Sequence, residues 1–107
     1  MKTKILNYIK KHSGTSFAEL DMHIDGFTGG DFQLGRNDFN IVFWVNMTED
    51  GCEAISELLK EKLIEAEPCE SLIYLIDGKP LFMPVVKTAR KYKKPRWLPM
   101  TFRAISS

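Results

Sequence analysis

MTEDGCEAISELLKEKLIEAEP, residues 47–68, holds the strongest periodic signal in the chain. Thr48 can cap a helix because its hydroxyl accepts from a backbone N–H of the first turn, and Glu49 and Asp50 favour the positive end of the helix dipole. Ile55, Leu58, Leu59, Leu63 and Ala66 recur at i, i+3, i+4 spacing, with Glu53, Glu57, Lys60, Glu61 and Glu65 on the opposite face. Pro68 cannot continue a helix. The spacing predicts an amphipathic helix over 48–66.

Upstream, Ile5, Leu6 and Ile9 share a helical stripe among lysines, which predicts a helix over about residues 3–12. Ser16 and Glu19 form a capping-box pattern that opens a second helix over about 17–24, burying Phe17, Leu20 and Ile24. Residues 25–40, DGFTGGDFQLGRNDFN, contain four glycines and three aspartates and are expected to form a long loop pinned by Phe27, Phe32, Leu34 and Phe39. The continuous apolar run Ile41–Val45 is expected as a buried strand.

Downstream, SLIYLIDGKPLFMPVV (71–86) predicts a β-hairpin around Asp77-Gly78, a pair suited to a two-residue turn with positive φ. In that register Pro80 and Pro84 fall where no ladder hydrogen bond is lost. Both faces of such a hairpin would be apolar. One can cover the helix over 48–66, and the other must meet the C-terminal segment or a second copy, so a homodimer through the hairpin is an expectation.

The chain of 107 residues has ordinary globular composition, with 44% hydrophobic and 27% charged residues. Its net charge of +1 conceals a division. Residues 1–86 hold eight Lys and Arg against fourteen Asp and Glu, whereas residues 87–107 hold seven against none. Such asymmetry points to a charged partner or to one segment docking on the other. Cys52 and Cys69 lack a close CxxC pairing, and no apolar run resembles a signal peptide or membrane span, so a cytoplasmic protein with reduced thiols is expected.

The succession helix, helix, strand, helix, hairpin resembles a winged helix-turn-helix domain, most specifically at MTEDGCEAISELLKEKLIEAEP. The resemblance covers residues 3–86 and implies an α+β fold of three helices and a small antiparallel sheet or hairpin. In it, 48–66 stands as the third helix and 71–86 as the wing. The expected organisation is a winged-helix-like domain over 1–86 and a basic C-terminal arm over 87–107, packed on it or extending from it. KKPRWLP (93–99) and the small size are also similar to accessory proteins of phages and mobile islands in Gram-positive bacteria. The expected first strand departs from the family order, preceding helix three rather than lying between helices one and two.

The third helix of this family usually reads the DNA major groove. Here residues 48–67 carry seven acids and two lysines, a surface that repels phosphates. The candidate nucleic-acid contacts therefore lie in the arm: Lys87, Arg90, Lys91, Lys93, Lys94 and Arg96 for phosphates, Tyr92 and Trp97 for stacking on unpaired bases. The same cations could instead lie along the acidic helix, or meet an acidic partner protein. A protein-interaction surface built from Glu53, Glu57, Glu61 and Glu65 with the loop over 25–40 is the alternative.

No reaction signature accompanies these surfaces. His12, His23, Cys52 and Cys69 lack the short paired spacing of a zinc site, and no Ser or Cys can be matched to an oriented base. DGFTGGD lacks the flanking strand, helix and cation of a phosphate loop. A non-enzymatic protein without cofactor, metal or small-molecule substrate is expected, with DNA, RNA or a protein as partner and no membrane.

Overall fold

The computed structural model describes residues 1–88 and 90–105, so Ala89, Ser106 and Ser107 of the expected arm lie outside the described residues. The fold is α+β, with four α-helices among the described residues and two three-stranded sheets. The three expected helices are thus joined by a fourth.

Helix α1 (Lys2–Lys11) buries Ile5 and Ile9, as its stripe requires. Gly14, at φ +83°, turns the chain into β1 (Thr15–Ser16). Ser16 then caps α2 (Phe17–His23), its hydroxyl accepting from the Glu19 N–H at 3.1 Å. The Glu19 carboxylate does not close the reciprocal half of a capping box. It accepts from the Tyr8 hydroxyl at 3.0 Å and so ties α2 to α1.

The glycine-rich segment is not a loop. Thr28–Arg36 forms β2, antiparallel to β3 (Ile41–Met47), with a 3-10 turn at Asn37–Phe39 between them. Its register shifts three times, which erases the alternation that would mark a strand. The glycines permit that irregular approach. A Cβ on Gly30 would stand 2.5 Å from the Met47 carbonyl oxygen, and one on Gly35 would stand 2.1 Å from that of Ile41.

Helix α3 (Glu49–Lys60) begins as its sequence predicts, with the Thr48 hydroxyl accepting from Gly51 N–H at 3.0 Å. It ends six residues short of the expected boundary. Lys62 takes a left-handed φ of +58°, Lys62 N–H donates to Leu59 O at 3.1 Å, and Leu63 N–H donates to Leu58 O at 3.0 Å. These are the two bonds of a Schellman motif. Ile64–Pro68 then forms β4, with Ile64 buried.

The expected hairpin over 71–86 is absent. Leu72–Ile76 is helix α4, and Asp77-Gly78 is its C-terminal cap. Asp77 keeps φ −76° and only Gly78 is left-handed, at +73°, so the type I′ geometry is not met. Gly78 N–H donates to Leu75 O and Lys79 N–H to Tyr74 O, a second Schellman cap. The segment 71–86 therefore offers helix α4, and no β-hairpin, as the element through which the expected homodimer could form.

The segment expected as an arm contributes β5 (Arg96–Trp97) and β6 (Met100–Ala104). Strand β6 lies between β1 and β4, antiparallel to both, while β5 runs parallel to β3 at the edge of β2–β3. Residues 96–104 are therefore part of the folded body. An aromatic cluster fills the core. The Phe17 ring stacks on Trp44 at 6.1 Å and meets Phe102 edge-on at 4.8 Å, and Tyr74 lies 5.3 Å from Trp44 and 5.0 Å from Trp97. Among the described residues, no helix is long and apolar enough to cross a membrane.

Candidate nucleic-acid interface

Residues 84–98 leave the core and return to it as a loop closed at its base. Val86 N–H donates to Trp97 O and Trp97 N–H to Pro84 O, both at 2.8 Å. The β2–β3 turn holds the loop from its side. Arg96 N–H donates to Asn40 O at 2.9 Å, Tyr92 N–H to Phe39 O at 3.0 Å, and the Asn40 side-chain amide to Tyr92 O at 2.6 Å. Asn40 has a φ of +56°, a conformation that asparagine tolerates better than most residues. The basic segment is thus an anchored lobe.

Tyr92 organises the lobe from within. Its hydroxyl accepts from the backbone N–H groups of Lys87 and Thr88, each at 3.1 Å, and donates to Thr88 O at 2.7 Å. The guanidinium carbons of Arg90 and Arg96 lie 4.8 and 4.7 Å from its ring centroid. Tyr92 is 7% exposed and Trp97 is 2% exposed. Neither ring can stack on a base without leaving its place in the fold, which removes both from the expected stacking role.

The Thr88 N–H bond, followed by the Lys87 N–H bond, pulls the Tyr92 hydroxyl down to a pKa of about 8. Burial pushes Tyr74 and Tyr8 in the opposite direction. A spectrophotometric titration of tyrosinate should therefore show one of the three tyrosines ionising near pH 8, a step that Tyr92→Phe deletes. Because the folded value lies below the ordinary 10, this group adds stability as pH rises from about 8 to 10 and loses that contribution as pH falls back through 8.

Lys87, Arg90, Lys91, Lys93 and Lys94 are exposed, and Arg96 is half-buried. Arg90, Lys91, Lys93, Lys94 and Arg96 surround, with Tyr92, a recess of about 370 Å³. Among the described residues, none of these six cations forms a salt bridge to a carboxylate. The acidic face is occupied differently. Lys2 pairs with Glu57 and Glu61, and Arg103 pairs with Glu65 across the β4–β6 ladder. Glu65 stands on β4, not on the helix, so the expected four-carboxylate surface is divided between two elements and three of its members are engaged. Glu53 is the fourth.

A second recess, of about 520 Å³, adjoins the lobe between the β2–β3 turn and residues 85–88. Phe39, Phe43, Val86 and Leu98 line it, with Arg36 and Lys87 as its cations. Arg36 lies 4.7 Å and Lys91 5.8 Å from the centroid of the Phe39 ring. Periodicity misses Arg36 and Phe39 as site residues because the turn that carries them lies in a glycine-rich segment.

No family model, no curated protein and no solved structure matches the chain. Cys69 is pushed up to about 11 by burial and the nearby Glu67, which disfavours its thiolate, and burial also raises Cys52. Among the described residues, no three His, Cys, Asp or Glu side chains form a metal-binding group.

Proposed function

We propose that this chain is a non-enzymatic, winged-helix-like protein that binds single-stranded nucleic acid through the lobe over 87–96. The observation that carries the proposal is the set of six cations held on an anchored loop with no salt bridge to a carboxylate among the described residues. Clustered cations with fixed spacing bind phosphates by releasing counterions. The adjoining Phe39–Phe43 recess supports single strands over duplexes, since unpaired bases can enter an apolar groove and stacked bases inside a duplex cannot.

The element order supports the winged-helix-like part. Strand β1 lies between α1 and α2, where the family usually has its first strand, and β4 and β6 pair after α3. In this reading the wing is the long connection 69–99 rather than 71–86, and the β2–β3 hairpin is an insertion between the second and third helices. The lobe is then the distal part of the wing. Nucleic acid would bind there and not on the acidic third helix.

Fluorescence polarisation with labelled single-stranded and duplex oligonucleotides, read against salt, tests the proposal. Lys91, Lys93 and Lys94 suit the test because all three are exposed. Changing them together to alanine should weaken single-strand binding about 100-fold near 0.1 M salt and reduce the log–log salt slope by about 2. Phe39→Leu should weaken single-strand binding about tenfold and leave duplex binding unchanged. Wild-type protein that binds neither form at low salt overturns the proposal.

A further inference from the structure

Helix α4 and the chain after it leave an unusual amount of apolar surface in water. Leu72 and Leu75 are each 56% exposed, Ile76 is 76% exposed and Phe82 is 99% exposed. Leu72, Leu75 and Ile76 share a face at i, i+3, i+4 spacing. Their neighbour Tyr74 is buried and fixes that orientation. Leu81 and Met83 pack against the core on either side of Phe82 and leave the intervening ring outside.

We infer that this face is the interface of a homodimer. With Ile73, the side chains on α4 expose on the order of 400 Å² of apolar surface, the size of patch that marks an interaction site on a monomer, and Phe82 adds its whole ring six residues along the chain. Charge selects the occupant. A two-fold interface places a patch against itself, so a patch of one sign repels its own copy. The acidic face of α3 and the basic lobe are both self-repelling in this sense. Between residues 71 and 86 the charged residues are Asp77 and Lys79 alone. Both turn back to their own chain: Asp77 accepts from the Ser16 hydroxyl at 3.2 Å, and Lys79 lies 3.6 Å from Asp21. Along 71–86 no other charged side chain is present to pair with an acidic or basic partner or to repel a second copy.

Sedimentation velocity across a wide protein concentration range, at a salt concentration that suppresses polyanion binding, tests the inference. Wild-type protein should move from monomer to dimer as concentration rises. The double substitution Ile76→Lys with Phe82→Lys should raise the dissociation constant about tenfold or more, because each chain then presents cations to its copy. Both positions are exposed, so the far-UV circular dichroism of the variant should match that of the wild type. Leu72→Lys, on the same helical face, should act in the same direction. A monomer at every concentration overturns the inference, as does a dimer that these substitutions leave intact. Sedimentation of wild-type monomer with neutral phosphatidylcholine vesicles, lost in the double variant, would assign the face to lipid and also overturn it.

Discussion

Replacing Tyr74 with phenylalanine should cost about 2–4 kcal/mol of folding stability, seen as a fall of roughly 10–20 °C in Tm by circular dichroism. The change removes one oxygen and leaves the ring in place. That oxygen accepts from Phe17 N–H at 3.0 Å, at the start of α2, and donates to Met100 O at 2.6 Å, at the start of β6. Both hydrogen bonds are buried, and each backbone group loses its Tyr74 partner when the hydroxyl goes. Tyr8→Phe is the control, because the Tyr8–Glu19 bond is only partly buried and its loss should cost less than about 1 kcal/mol. An unchanged Tm in the Tyr74 variant would remove this hydroxyl from the account of the fold. Burial also raises the Tyr74 pKa, so the folded chain resists an ionisation that the unfolded chain undergoes near 10. Its contribution is therefore present below pH 10 and declines above it, opposite in sign to that of Tyr92.

Gly35→Ala should cost a further distinct amount, about 2–3 kcal/mol, and should weaken oligonucleotide binding as well. The added methyl group would meet Ile41 O at 2.1 Å and Val42 Cα at 3.0 Å, both backbone atoms that cannot rotate away. Strand β2 must then move from β3. Arg36, Phe39 and Asn40 follow directly, and the last two anchor the basic lobe through its backbone. Gly29→Ala separates space from conformation. A methyl group there meets nothing within 4 Å, but the φ of +106° is unfavourable, so about 1 kcal/mol of stability and no binding should be lost. Chemical denaturation and polarisation on the same preparations would measure both effects.

The helices were legible where their signals were local. Thr48 and Ser16 cap the helices that their positions predict, and Ile5, Ile9, Ile55 and Leu58 are buried on the expected stripes. The end of α3 was not legible because a lysine occupies the left-handed position where glycine would have announced a stop. Asp77-Gly78 misled in the opposite way, since a glycine with positive φ serves a Schellman cap as well as a hairpin turn. Five consecutive apolar residues before it gave no period to choose between them. Strand β2 was concealed by its bulges and glycines. At the site, the cations were visible from composition, but the burial of Tyr92 and Trp97 depends on contacts with β3 and the β2–β3 turn, which no local pattern encodes.

The position of β6 has a consequence during synthesis. Thr15 pairs with Phe102, and Ala66 pairs with that same residue from the other side, so the strand that joins β1 to β4 is translated long after both. Until it emerges from the ribosome, the nascent chain holds two unpaired strand edges beside an incomplete aromatic core. Such a chain is open to chaperones and to wrong pairing for seconds at ordinary elongation rates of roughly 5–20 residues per second.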